Sequence, residues 1–479
     1  MRSVFVCAYL FLSVSAVSAQ YQSEIGYTDL QSLLGAGTPN GSSISVSHVE
    51  ALSSGNYRPN TAAIVFSGKN FTLKSGASGI SSHATGVGAL FYGNTGIAPA
   101  INTIDVYEAS HWIGAGMLNA LSPDLPEIET NDVANFSWIG NANTTSQATD
   151  MLRRLDLSIE RDEYVAVVAV NNGQNTLMPH LLANSYNAIS VGLTNGNSSH
   201  GLSTVDVVGR SVPHLVVRDS FTSNATAIVS ASAALLLDQA NKDSNANAQN
   251  SESVKAMLIA GATKDEFDLN NSTVSTLDDW SHTTTQPLDD RLGAGELNIY
   301  NAYQIYAAGE QEAGNNSLVS LTGWDFGSIG VGGQNLYFFD VLANQTVDEL
   351  SIALTWNRHI TATPDGSNPL ILASLMPNLD IKLYNADGFT LQSLVDESIS
   401  TIDNLEHVYQ LGLTQGRYAI AINRSFIGDG SDASAWDYAL AWRSQVTTVP
   451  EASSLLLVGV GLTLVGARRL RNHQRITRA

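Results

Sequence analysis

A chain of 479 residues with 44% apolar and only 14% charged side chains is long enough for two folded domains and too apolar to be disordered. Its formal net charge of -21 argues against nucleic acid as a partner. Cysteine occurs once, at Cys7, which excludes intrachain disulfides and a cysteine metal site.

The N-terminus has the form of a signal peptide. Arg2 supplies the positive start, Val4 to Val14 is almost wholly apolar, and Val17-Ser18-Ala19 ends in small residues, so residues 1–19 are expected to be removed on export. Short apolar, β-branched runs then follow at Ser43 to Glu50, Ala62 to Phe66, Thr103 to Tyr107, Val133 to Ile139, Tyr164 to Val170 and Ala188 to Leu193. Each predicts a buried parallel strand. Helical spacing appears over Thr144 to Arg161, Val254 to Ala262 and Leu297 to Ala308. This alternation predicts an α/β domain with a mainly parallel sheet over residues 20–309.

Past Gly309 the texture changes. Glu310 to Ser317 reads as a linker. Strand-like runs at Asn335 to Val341, Leu350 to Trp356, Leu379 to Tyr384, Val408 to Leu413, Tyr418 to Asn423 and Trp436 to Trp442 predict an all-β sandwich over residues 318–447. The remaining residues, 448–479, form a tail. Val449-Pro450-Glu451 precedes the uncharged run Ala452 to Ala467, and Arg468, Arg469, Arg471, Arg475 and Arg478 follow. An apolar run followed by basic residues predicts membrane attachment with the bulk of the chain outside. This tripartite tail resembles the PEP-CTERM sorting signal, with Ala452 in place of its second proline, and the resemblance implies a sorting machinery as partner. A plain tail anchor predicts the same topology.

Three segments of the α/β region carry chemistry together. His83 stands near the start of a small-residue helix in Ser81-Ser82-His83-Ala84-Thr85-Gly86-Val87-Gly88-Ala89. Asn171 follows the buried run Val165 to Val170, at the strand end where active sites of open parallel sheets gather. Ser223 opens a helix in Phe221-Thr222-Ser223-Asn224-Ala225-Thr226-Ala227. Taken singly, these residues read as a structural histidine, a turn asparagine and a helix cap.

In that order the three segments resemble the His, Asn and Ser blocks of the subtilase family of serine peptidases. Val133 to Gly140, Asn184 to Gly192, Gly209 to Pro213 and Gly293 to Asn298 resemble further blocks, so the likeness spans about residues 40–308. It implies a subtilisin-like parallel sheet flanked by helices, cleavage of protein or peptide substrates, and no cofactor beyond structural calcium ions, whose ligands the sequence does not nominate. It implies Ser223 as nucleophile, His83 as general base, Asn171 as oxyanion donor, and Ser137, Trp138, Ile139 and Gly140 as the substrate-lining strand. The family's acid is an aspartate on an early strand. Here the matching residue is Glu50, 33 positions before His83.

The segments also depart from the family at Ala84, Val170, Phe221 and Ala227. Bulkier residues at the family's glycines would narrow the cleft. Two readings therefore stand: an exported, surface-attached serine endopeptidase, and a catalytically inactive matrix or adhesion protein on the same scaffold.

Overall fold

The computed structural model describes residues 21–174, 176–264, 280–363, 370–425 and 434–448. The expected leader and the expected tail beyond Thr448 lie outside the described residues.

Seven strands form one sheet: β1 (Ser45–Glu50), β2 (Asn70–Leu73), β3 (Thr103–Glu108), β4 (Val133–Phe136), β5 (Val165–Ala169), β6 (Ile189–Leu193) and β7 (Leu215–Val217). Their order is β2-β3-β1-β4-β5-β6-β7, and every pairing is parallel. The chain leaves β1 toward the β2 edge and leaves β4 toward the opposite edge. The carboxyl ends of β1 and β4 therefore flank a topological switch point, where open parallel sheets leave a crevice.

Helices cover both faces. On one lie α2 (Ser82–Phe91) and α4 (Thr222–Asp243), and on the other α3 (Thr145–Asp162); α1 (Tyr27–Leu34), α5 (Ser251–Gly261) and α6 (Ile299–Ala307) complete the layer set. Ser81 starts α2, its hydroxyl accepting from the Ala84 N–H at 3.1 Å, and Thr144 starts α3 by accepting from Gln147. Strand alternation divides the core. Val46 packs on the α2 and α4 side, Val49 on the α3 side.

The second domain is a sandwich of two four-stranded antiparallel sheets. Its strands are β8 (Gly323–Ile329), β9 (Gln334–Val341), β10 (Gln345–Thr355), β11 (His359–Thr363), β12 (Ile371–Leu375), β13 (Leu379–Asp387), β14 (Thr390–Ser398), β15 (Leu405–Leu413), β16 (Gly416–Arg424) and β17 (Trp436–Thr448). One sheet runs β8-β17-β10-β15, the other β9-β16-β13-β14, and β11-β12 form a separate ribbon. The expected α/β sheet followed by an all-β sandwich is the observed architecture.

The two layers share one interior. Trp324, Ala353, Leu405, Ala439 and Ala441 of the sandwich belong to the same apolar cluster as β1 and α4. Arg358, 1% exposed, enters the sheet domain and pairs with Asp156 and Asp206, its Nε donating to Asp156 Oδ2 at 3.0 Å. Arg358 and Arg210 both lie over the Tyr186 ring.

Two expectations need correction. Ala62 to Phe66 is no strand. Ile64–Phe66 forms a 3₁₀ turn in which the Phe66 N–H bonds back to Ala63 C=O at 2.9 Å, with Ile64 71% exposed. The edge strand is β2 instead, half solvated and so lacking the apolar run that marks a buried strand. Nor is Glu310 to Ser317 a free linker. Gln311 N–H bonds Trp324 C=O at 2.7 Å and Gly314 N–H bonds Leu336 C=O at 2.8 Å, which straps the segment to the sandwich. Among the described residues no helix is long and apolar enough to cross a membrane.

Candidate active site

Glu50 ends β1 at the switch-point crevice and is only 1% exposed. Its Oε2 lies 2.7 Å from His83 Nδ1, so β1 and α2 meet in this pair. Burial pushes the Glu50 carboxyl up, but hydrogen bonds from His48 and His83 outweigh it and hold the group below its ordinary value. The reciprocal bond raises the pKa of His83 against the opposing effect of its own burial. His83 keeps 40% of its side chain in solvent, an open face for a reactant.

Ser223 sits in the first turn of α4, 9% exposed. The helix start is stitched to the end of β5. Thr222 N–H donates to Asn172 Oδ1 at 2.8 Å, and the Thr222 hydroxyl donates to Val170 C=O at 2.8 Å. The N–H groups of Asn224 and Ala225 both turn to Phe221 C=O. That leaves the Ser223 N–H without a partner among the described residues, at the positive end of a 22-residue helix. Phe221, where a narrowed cleft was expected, is 56% exposed. No hydrogen bond joins Ser223 to His83 among the described residues. Such bonds are often long in substrate-free sites and tighten when substrate binds.

Asn171 holds Ser199 through its backbone, N–H to Oγ at 2.9 Å and C=O to N–H at 2.8 Å. Its side-chain amide makes no hydrogen bond among the described residues and is free to serve a ligand. The neighbouring Asn172 spends its side chain on Thr222. Residue type alone does not separate these adjacent asparagines; the docking of α4 gives their side chains different partners.

The proposed substrate-lining residues divide three ways. The Ser137 hydroxyl donates to Ser223 C=O at 2.8 Å. The backbone N–H and C=O of Trp138 and Ile139 have no partner among the described residues, as an extended peptide would require. Gly140 lines the cavity beside the strand, while its own N–H and C=O bridge to Leu181 at 3.4 and 3.0 Å. Beside this strand opens a cavity of about 530 Å³ lined by Leu52, Ile113, Trp138, Ile139, Met151 and Leu181 among others.

The sequence reading passed over His48 and Tyr92. His48 Nε2 lies 2.8 Å from Glu50 Oε1, and its Nδ1 lies 2.6 Å from the Tyr92 hydroxyl. A signal for His48 existed, since it precedes Glu50 by two residues on one strand and so shares its face. Tyr92, 44 residues from His48, had none.

No protein-family model matches the chain, and no curated protein matches it by sequence. Solved structures similar to it include the prenylagaramide maturation protease PagA, at 21% identity over 56% of this chain and 94% of that one, with a TM-score of 0.38. Another is the patellamide maturation protease PatA, at 19% identity over 57% and 99%, with a TM-score of 0.37. A third is the epidermin leader peptide processing serine protease EpiP of Staphylococcus aureus, at 14% identity over 59% and 81%, with a TM-score of 0.39.

Proposed function

We propose that the chain is a serine peptidase in which Glu50, His83 and Ser223 act as acid, base and nucleophile. The observation that carries this reading is the 2.7 Å contact between the buried Glu50 carboxylate and His83 Nδ1. An ionised carboxylate at Nδ1 selects the tautomer whose Nε2 carries the lone pair, and it stabilises the imidazolium that forms when Nε2 takes a proton.

In this mechanism Ser223 Oγ attacks the peptide carbonyl as its proton passes to His83 Nε2. The oxyanion that forms is met by the unpartnered Ser223 N–H and the free Asn171 amide. His83 then gives its proton to the leaving amine, the C–N bond breaks, and an ester to Ser223 remains. Water, deprotonated by His83, hydrolyses that ester and returns the serine. The substrate backbone pairs with Trp138 and Ile139, and the adjoining cavity takes an apolar side chain.

Incubating the purified chain with a fluorophosphonate probe tests this directly. Labelling that disappears in Ser223→Ala is the expected result. An unlabelled wild-type chain would favour the inactive matrix or adhesion reading.

We further propose export and attachment at the cell envelope, supported by the composition of residues 1–19 and 448–479. Deleting residues 452–479 is expected to release the protein with its labelling intact. A truncated chain that stays with membranes would overturn the sorting role.

A further inference from the structure

The contacts of Glu50 extend past His83. Strand alternation turns Val46, His48 and Glu50 to the face covered by α2. There His48, 0% exposed, stands between Glu50 Oε1 and the hydroxyl of Tyr92, also 0% exposed. Phe66, Phe71 and Phe91 surround the Tyr92 ring at centroid separations of 5.5 to 5.9 Å. A Cβ at Gly88 would collide with the Tyr92 hydroxyl, so α2 has a gap one turn back in which the phenol rests.

The chemistry of these atoms assigns their protons. An ionised carboxylate only accepts, so the His48 ring carries a hydrogen on Nε2 and donates it to Oε1. A Tyr92 hydroxyl that donates to Nδ1 keeps the ring's hydrogen on Nε2. The ring is fully buried, so its two nitrogens depend on the partners that Glu50 and Tyr92 supply.

We propose that His48 is a positioning residue for Glu50 and that Tyr92 fixes its tautomer, so that one carboxylate oxygen is held while the other faces His83. This rests on the peptidase reading of Glu50, His83 and Ser223. It accounts for a glutamate at a position where the resemblance implies aspartate. The longer side chain has an additional rotatable bond, and a second donor is what keeps its carboxylate from swinging off the base. Glu108, the residue paired with Glu50 on β3, points its carboxylate at the Ser110 and His111 N–H groups at 2.9 and 2.8 Å and does not compete for either imidazole.

The test uses the full chain with ¹³C-labelled histidine, and compares His48→Phe, His48→Gln, Tyr92→Phe and, as reference, Glu50→Gln. Two readouts are taken: the His83 titration by NMR, and kcat and KM on a peptide substrate. His48→Phe is expected to lower kcat by about 10- to 100-fold, the effect of one hydrogen bond to a charged group, with KM little changed. His83 should titrate at lower pH, toward its behaviour in Glu50→Gln. His48→Gln places an amide donor near the Nε2 position and should recover most of both. Tyr92→Phe should show a smaller shift in the same direction.

A folded His48→Phe chain with the wild-type His83 titration would overturn the proposal. If that variant fails to fold, an unchanged titration in Tyr92→Phe does so instead. A wild-type chain that cleaves nothing, while His83 still responds to His48, overturns the peptidase reading and leaves the positioning role intact.

Discussion

The hydroxyl of Ser137 donates a 2.8 Å hydrogen bond to the carbonyl of Ser223, fastening the strand that would bind substrate to the residue that would attack it. Asn135, two residues back on β4, holds the same assembly by accepting from Ser230 of α4 at 3.0 Å. Both groups are buried, so neither bond can be replaced by solvent. Ser137→Ala should cost about 1–2 kcal/mol of stability and lower kcat roughly tenfold. Denaturant unfolding and steady-state kinetics check the two effects, and wild-type values for both would show that the strand and helix are held by other contacts.

Glu50 bridges two imidazoles, which makes its length matter. Glu50→Gln supplies an amide that can donate toward His83 Nδ1 and select the wrong tautomer, so kcat should fall by roughly 10⁴-fold. Glu50→Asp retains the charge but is one methylene short of spanning from His48 to His83, and a loss of at least about tenfold is expected. Equal activity in wild type and Glu50→Gln would remove residue 50 from the mechanism.

The pH profile follows from the direction of two shifts. His83 must be neutral to act as base, and its pKa is raised above 6.5 by the bond to Glu50. The acid limb of kcat/KM should therefore lie above pH 6.5, and activity should fall as pH drops through it. For stability the signs differ. The His83 contribution is fully present below pH 6.5 and is lost as pH rises through the folded-state value. The Glu50 contribution, with a lowered pKa, is present above 4.5 and is lost as pH falls through its folded-state value. An acid limb below 6.5 would contradict the assigned pairing.

Adjacent asparagines should behave unlike one another. Asn171→Ala removes the free amide and should lower kcat by roughly 10²–10³-fold with KM nearly constant. Asn172→Ala removes the acceptor for Thr222 N–H at the start of α4. It should act first on thermal stability, at about 1 kcal/mol. Interchanged outcomes for the two variants would mean that Asn172, not Asn171, meets the oxyanion.

Arg358 binds the two layers through Asp156 and Asp206 in a buried network. Removing one member of such a network leaves charge stranded, and Arg358→Ala should cost about 3–5 kcal/mol. Because the apolar core is continuous across the seam, a single cooperative transition is expected for the wild-type chain by calorimetry. Two separate transitions would show that the sandwich unfolds on its own.

Much of the architecture was legible in the sequence because buried strands and helix starts leave local marks. The short run Val165 to Ala169, rich in β-branched residues and followed by Asn171-Asn172-Gly173, reads as a strand covered on both faces. Ser81 and Thr144 announce their helices by the bond each makes three residues on. His83 and Ser223 each stand in the first turn of a helix rich in small residues, but it is the joint order of their segments, and not either helix alone, that singles them out in the sequence. Residues 64–66 misled because an apolar triplet does not say whether a neighbouring strand exists to receive its N–H groups, and here none does.

Sequence alone thus determined the alternation of strands and helices, the change to β-structure after Gly309, and the face shared by His48 and Glu50, all set by contacts within a few residues or by the two-residue period of a strand. Only the tertiary structure decided that Tyr92 reaches His48, that Asn172 rather than Asn171 holds the start of α4, that Gly140 is already engaged by Leu181, and that Arg358 locks the sandwich to the sheet. These pairs lie between 41 and 202 residues apart. Which of several chemically equivalent side chains makes each contact depends on how the layers dock and where side chains point after packing, and no local pattern records that.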